Sequence, residues 1–371
     1  LLLVVVVAAA LYAGVHCLFQ APKLAEADAA EEETLSDTKL EDAQSAALAA
    51  HKERKPYFYT ILLSGEDDGN GGSDTNILIG FDGQNGAIYG ASIPRDTKAI
   101  INGKKHKINF AYNSGGSELL ADTVSEQLGI PVDFTVSVDL KGFEALVDAI
   151  GGVWYDVPRN MDYEDPSQDL SIHVQKGYQK LNGEQAMGVV RFREGKNGYA
   201  NGDLGRIETQ QGFLKALIEQ CLQIDKMTKV FEYARIFTEQ VTTDLTINNL
   251  AWFGQQAIFG GLTSENDNFI TMPCATKSVW SRSYHANLSY VVPNVDELVQ
   301  VVNESFNPYL DELTSSELDI MYVNSDGTIG CTSGRLQDSK ANASVGSRPS
   351  NNHTQTVDPD TTTPVEPDVP V

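Results

Sequence analysis

Three short runs, 58–63, 75–81 and 87–93, carry the apolar, β-branched and aromatic residues of strands and follow one another at very short intervals. Such spacing leaves room only for hairpins, so the runs predict an antiparallel meander. The links are a polar loop, Ser64 to Asp74, and the tight turn Asp82-Gly83-Gln84-Asn85-Gly86. Because strand directions alternate, the end of the first run, the start of the second and the end of the third share one sheet edge. Asp67, Asp74, Arg95 and Asp96 are expected to meet there.

A fourth strand is expected at 134–138. Helical periodicity marks 118–128, 140–150 with its Phe143, Leu146, Val147 and Ile150 face, and 204–223 with Ile207, Leu214, Leu217, Ile218 and Cys221. Further helices are expected at 248–259 and 295–305. Strands alternating with helices give the α/β class with a single mixed sheet. Gly151-Gly152 reads as a helix stop before the next strand.

The ends differ in character. Residues 1–20 are an apolar run long enough to cross about 30 Å of hydrocarbon as a helix, and are read as a transmembrane anchor with a short cytoplasmic segment expected ahead of it. A cleaved signal peptide is the competing reading. Residues 21–55 are an Ala/Glu-rich linker, 56–310 the α/β domain, and 311–371 a low-complexity, largely disordered tail, richest in Ser, Thr, Pro and Asp beyond residue 333. Cys17, Cys221, Cys274 and Cys331 are too scattered for a disulfide framework or a close-paired metal site; free thiols are expected, with a Cys274–Cys331 bridge as the alternative.

With 27 Lys and Arg against 51 Asp and Glu, the formal charge is −24, which repels nucleic acid. A phosphorylated ligand therefore needs a local reversal of charge. Two carboxylates at a rigid sheet rim, Asp67 and Asp74, suit a hard cation such as Mg²⁺ that is completed by ligand phosphates, and Arg95 adds a bidentate fork. The loop around Asp67 reads equally as a flexible polar hairpin. An EF-hand is excluded because its last position, counted from Asp67, falls on Leu78, and a P-loop because no Gly-Lys-Ser/Thr is present.

The second constellation is Arg191-Phe192-Arg193, where strand-like alternation would put both guanidiniums on one face as an anion clamp. Asp203 and Arg206 then open a helix whose positive end favours anions, with Gln210 one turn on. Such arginines are more often solvated or ion-paired than functional; it is their number in so acidic a chain that points to a site. His106 and His173 have no ligand spacing and read as surface residues.

These residues and their order resemble the LytR-CpsA-Psr family of bacterial cell-wall glycopolymer transferases. The likeness rests on Gly65-Glu66-Asp67, Ser73-Asp74-Thr75, Ser92-Ile93-Pro94-Arg95-Asp96-Thr97, Lys107-Ile108-Asn109, Asp148-Ala149-Ile150-Gly151-Gly152-Val153, Leu181-Asn182-Gly183-Glu184-Gln185-Ala186 and Arg191-Phe192-Arg193 with Asp203 and Arg206. It implies a three-layer α-β-α fold with a central mixed sheet, here preceded by an N-terminal transmembrane helix, and an apolar tunnel for a polyprenyl chain. It implies transfer of a glycopolymer, such as teichoic acid or capsule, from a polyprenyl-diphosphate carrier to a peptidoglycan hydroxyl outside the cytoplasm. In that scheme Asp67 and Asp74 hold Mg²⁺ (or Mn²⁺), while Arg95, Arg191, Arg193, Arg206 and Gln210 bind the diphosphate. Asp96 and Asp203 either take the hydroxyl proton or orient a neighbouring Arg. Gly69 and Gly72 stand where the family often carries Arg, and Thr209 where another is common, so two or three positive charges are lost. A lipid pyrophosphatase and a non-catalytic polyprenyl-phosphate binding module are the alternatives the same site would serve.

Overall fold

The computed structural model describes residues 21–24, 53–66, 72–166, 170–193, 195, 197–200, 202–221, 229–260, 267–281, 286–325 and 328–335. Along the chain the first elements are β1 (Phe58–Glu66), β2 (Ser73–Asp82), β3 (Ala87–Ser92), β4 (Lys98–Ile101), β5 (Lys104–Lys107), α1 (Asn109–Leu128), β6 (Phe134–Val138) and α2 (Leu140–Ala149). Two small ladders follow, β7 (Val153–Val157) with β10 (Gly177–Leu181), and β8 (Met161–Asp165) with β9 (Leu170–Val174). Then come α3 (Gly183–Arg191), α4 (Asp203–Cys221), α5 (Val230–Gln240), β11 (Thr242–Thr243), α6 (Ile247–Phe259), β12 (Asp267–Thr271), β13 (Cys274–Ser281), β14 (Ala286–Pro293), α7 (Val295–Val301), β15 (Met321–Val323) and β16 (Ile329–Cys331).

The central sheet is mixed, in the order β11-β6-β1-β2-β3-β12. β1, β2 and β3 form the expected antiparallel meander, with Ile61 opposite Ile79 and Ile77 opposite Ser92. β6 and β12 add in parallel to β1 and β3. The two-residue period of these strands sends alternate side chains to opposite faces. On one face Leu62, Leu78 and Ala91 pack with Leu120, Val124 and Leu128 of α1 and with Leu298, Val302 and Phe306 near α7. On the other, Tyr59, Phe81, Ile88, Phe134 and Val136 pack with Trp252, Phe253 and Ala257 of α6. The sheet is thus covered by helices on both sides. A separate apolar cluster joins β7–β10 to α3 and α4 through Val153, Met161, Ile172, Leu181, Val189 and Phe213.

The turn between β2 and β3 forms as its residues dictate. Asp82 Oδ1 accepts from the backbone N–H groups of Gln84 and Asn85 at 3.1 and 2.9 Å, and Gly86 takes φ 64°, where a Cβ would stand 2.4 Å from the Gly260 carbonyl oxygen. Gly151 and Gly152, at φ 88° and 85°, turn the chain from α2 into β7, as the helix-stop reading requires.

Several expectations are corrected. Arg191 to Arg193 is not a strand: Arg191 is the last residue of α3 and Phe192 leaves the helix in extended conformation. A capping box closes the start of that helix, Asn182 accepting from Gln185 N–H while the Gln185 side chain accepts from Asn182 N–H. α1 begins at Asn109, earlier than expected, with a break at Gly115 and Gly116, and α5 was not anticipated. After α7 the chain widens into a π-helical turn over Val302–Phe306. Beyond residue 310, where the tail was expected to begin, Leu313, Leu318 and Ile320 belong to the main core. Among the described residues no disulfide joins Cys221, Cys274 and Cys331. His106 stacks on Phe110, ring centroids 4.0 Å apart. Among the described residues no helix is long and apolar enough to cross a membrane, and the apolar run 1–20 lies outside them.

Candidate functional site

The meander brings its tips together as the strand directions require. Glu66 stands opposite Ser73 and Gly65 opposite Thr75, beside a register shift at Gly65/Glu66, so the end of β1 and the start of β2 form one lip. Past β3, Pro94 to Thr97 makes a turn closed by Thr97 N–H to the Pro94 carbonyl (2.9 Å). It is held from outside by Asn109 N–H on the Arg95 carbonyl (3.2 Å) and Val291 N–H on the Asp96 carbonyl (3.0 Å). Pro94 fixes its own φ, and the turn holds Arg95 against the lip. Arg95 Nη1 donates to Asp74 Oδ1 at 2.8 Å.

Beside this lip lies a cavity of about 460 Å³ between the sheet and α2, α3 and α4. Its wall is divided by chemistry. One part is apolar, formed by Leu63, Ile77, Val138, Leu140, Phe143, Met187, Val190, Phe213, Leu214 and Leu217. The other carries Glu66, Asp74, Arg95, Arg191, Arg193, Arg206 and Gln210. Four guanidiniums from three separate segments therefore face one space in a chain of net charge −24.

The neighbours of each group explain its state. Partial burial pulls the Arg95 pKa down, but Asp74, by charge and hydrogen bond, and then Asp96 and Asp203 push it above its ordinary value. Arg206 goes the other way. Burial lowers its pKa against the attraction of Asp203 and Asp74, and Arg95 and Arg193 add repulsion. Its Nη2 lies 2.6 Å from Asp203 Oδ1, and its Nε, also buried, meets no hydrogen-bond partner among the described residues. A buried donor in that condition is costly and is relieved by an incoming anion. Gln210 Nε2 donates to the Val190 carbonyl at 3.1 Å, tying α4 to the end of α3 just before Arg191. Phe192 is fully buried between the two arginines in sequence, the outcome the strand reading anticipated but produced by a helix end.

Of the residues named from the sequence, Asp74, Arg95, Arg191, Arg193, Arg206 and Gln210 line this cavity. Asp96 and Asp203 are not on its wall: Asp96 pairs with Lys107 at 3.1 Å, and Asp203 with Arg206. Asp67 lies outside the described residues. The carboxylates on this wall are Glu66, Asp74 and Asp139, the oxygen donors a hard cation takes together with ligand oxygens, and no group of three metal-ligating side chains converges among the described residues.

Two residues escaped the sequence reading. Glu66 lines the cavity and accepts a hydrogen bond from the Tyr112 hydroxyl, whose pKa is pushed up to about 12 by burial and then by that bond. Gly65-Glu66-Asp67 was visible as a motif, but nothing in the sequence shows that a helix beginning at Asn109 would lay Tyr112 on the tip of β1.

The family model described as the LytR_cpsA_psr family matches residues 21–307. The chain is 34% identical over 223 residues to the polyisoprenyl-teichoic acid–peptidoglycan teichoic acid transferase TagV of Bacillus subtilis (strain 168), covering 57% of this chain and 55% of that relative. It is 31% identical over 200 residues to the corresponding transferase TagU of Enterococcus faecalis (strain ATCC 700802 / V583), covering 52% of this chain and 63% of the relative. The matches thus span little more than half the length of these curated relatives. The crystal structure of B. subtilis TagV superposes with a TM-score of 0.57 at 31% identity, covering 66% of this chain and 94% of that one. Order of motifs, mixed sheet and family match agree, and the chain belongs to the LytR_cpsA_psr family.

Proposed function

We propose that this chain is a membrane-tethered, extracytoplasmic phosphotransferase that moves a glycopolymer from a polyprenyl-diphosphate carrier to a peptidoglycan hydroxyl. The observation that carries the reading is the divided cavity: an apolar wall suited to a prenyl chain, ending in Arg95, Arg191, Arg193 and Arg206 around Asp74. Only an amphiphile with an anionic head satisfies both parts. The names of TagV and TagU, relatives that cover part of this chain, support the glycopolymer and peptidoglycan classes.

In this reading the guanidiniums neutralise and orient the diphosphate oxygens, the main demand of phosphoryl transfer. The acceptor oxygen attacks the phosphorus that bears the glycan, a new P–O bond forms, and the anhydride bond to the prenyl-side phosphate breaks. The products are a sugar phosphodiester and polyprenyl phosphate, and the hydroxyl proton leaves to a carboxylate or to water. Asp74, with Asp67, would hold Mg²⁺ or Mn²⁺, which supplies further charge neutralisation on the diphosphate. Asp203 beside Arg206 and Asp96 beside Lys107 orient cations.

The test incubates the full chain with Mg²⁺, a synthetic polyprenyl-diphosphate sugar and a peptidoglycan fragment. Ligated product is expected from wild type, with kcat/KM about 10²–10³-fold lower for Arg191→Ala. Equal product from both removes that arginine from the mechanism. Release of sugar phosphate to water alone identifies a pyrophosphatase, and lipid binding without turnover a binding module.

A further inference from the structure

A second, smaller cavity of about 250 Å³ adjoins the first and shares Glu66 and Asp139 with it. Its other polar walls are Ser137 at the end of β6, Glu239 and Gln240 at the end of α5, and Thr242 of β11. β6 is the parallel neighbour of β1, and Thr242 pairs with Ser137, so this space sits at the same sheet edge as the lip, displaced sideways past β1. Glu66 is the partition: it faces both spaces and is steadied by the Tyr112 hydroxyl.

The two spaces have opposite chemistry. The first gathers guanidiniums, whereas the second presents Glu66, Asp139 and Glu239 together with amide and hydroxyl groups. Glu239 is partly balanced by Arg235 at 2.6 Å, and Asp139 Oδ1 is engaged in capping α2 through Gly142 N–H at 2.6 Å. Carboxylates so placed repel an anion, so neither a diphosphate nor a carboxylate-bearing ligand belongs there. They do not form a cation cage either, as no group of three metal-ligating side chains converges among the described residues. A neutral ligand rich in hydroxyl donors suits such walls, for which carboxylate, amide and Ser/Thr oxygens are natural acceptors. The volume is below the roughly 300–1,000 Å³ of drug-sized sites, which suits a single sugar ring.

We propose that this polar cavity is the acceptor subsite, seating one uncharged sugar ring of the acceptor glycan so that its hydroxyl is presented past Glu66 to the diphosphate in the neighbouring space. The inference rests on the transferase reading for the identity of the ligand, but the binding it asserts is measurable without turnover. Charge separates the substrates: the anionic donor is steered to the arginines and kept out of the carboxylate-lined space, which is left to the neutral acceptor, with a shared wall between the two.

Gln240 and Thr242 line only the second cavity, so they test it without touching the first. The full chain is titrated with a soluble peptidoglycan glycan fragment whose lactyl carboxylates are amidated, so that it carries no charge, and separately with a polyprenyl-diphosphate sugar. In Gln240→Ala and Thr242→Val the glycan Kd, and the acceptor KM in the coupled assay, are expected to rise roughly tenfold, as for loss of a ligand hydrogen bond. The donor Kd should stay within twofold, and an unchanged melting profile shows that the fold is kept. Glycan binding that is absent in wild type, or equal in wild type and both variants, overturns the subsite. Donor turnover that fails in wild type while glycan binding follows the expected pattern sinks the transferase reading and leaves the glycan site standing.

Discussion

Arg206 carries the sharpest conflict of any single residue in the chain. Its side chain is 11% exposed, its Nε has no partner among the described residues, and two other guanidiniums lower its pKa further. Such a residue is tolerated because Asp203 holds it from behind, which leaves its remaining donors for a ligand. In the proposed scheme Asp203 is a positioning residue. Asp203→Asn is expected to lower turnover about 10–100-fold, the usual cost of losing such a partner, while leaving the shape of the pH–rate profile intact. Loss of one limb of that profile would instead make Asp203 the proton acceptor. A second prediction at this scale concerns His173, clamped between Asp162 at 2.7 Å and Glu164 at 2.6 Å on the outer side of the β8–β9 ladder. These hydrogen bonds raise its pKa above the usual 6.5. A raised value in the folded state means that the stabilisation is full below the unfolded value and fades as pH rises through the folded one. An NMR titration should place the midpoint above 6.5, and the paired change Asp162→Asn with Glu164→Gln should bring it back to the ordinary value. An unmoved midpoint would remove the clamp.

At the scale of elements, the helix that ends in Arg191 depends on how it starts. α3 has nine residues, too short to be stable alone, so its capping box sets whether the last turn holds its place on the cavity wall. Asn182→Ala is expected to cost about 1 kcal/mol. If α3 positions Arg191, donor KM should rise in the same variant with no change at the acceptor; thermal melting with a donor titration decides it. The same helix shows what the sequence could and could not reveal. The meander, β6, α2, α4 and α6 were legible because their hydrophobic periods persist over whole elements, and strand direction alone placed Asp74 and Arg95 at one edge. Arg191 to Arg193 was misread because three alternating residues look alike at the end of a helix and in a strand. The Asn182 and Gln185 pair three residues apart was the available signal. The apolar wall was hidden for a different reason: Phe143, Leu214 and Leu217 form ordinary amphipathic faces, and periodicity does not tell a face against a cavity from one against a core.

Across the whole molecule, the chain is fastened at the edge opposite the cavity. Arg54 binds Asp133 through both guanidinium ends at 2.9 and 2.7 Å, and Leu310 N–H donates to the Glu53 carbonyl at 2.9 Å, so the segment entering β1 and the segment leaving the π-helical turn are tied together there. From that tie the chain continues into a further stretch of core. Leu318, Ile320 and Met321 are fully buried, β15 pairs with β16, and Arg335 reaches back to Glu126 of α1 at 3.0 Å. Each such aliphatic side chain contributes about 1.5–3 kcal/mol by burial, and the three together rival the roughly 5–15 kcal/mol net stability of a domain. Ending the chain after Leu310, the domain boundary expected from the sequence, should therefore yield an unfolded or aggregating product. Ending it after Asp338 removes a segment of Ser, Thr, Asn, Pro and Asp with few large apolar residues, and the melting temperature should not move by more than a degree or two. Circular-dichroism melts of the two truncations decide the point, and a cooperative, unshifted transition in the shorter one would mean that residues 311–335 rest on the core without supporting it.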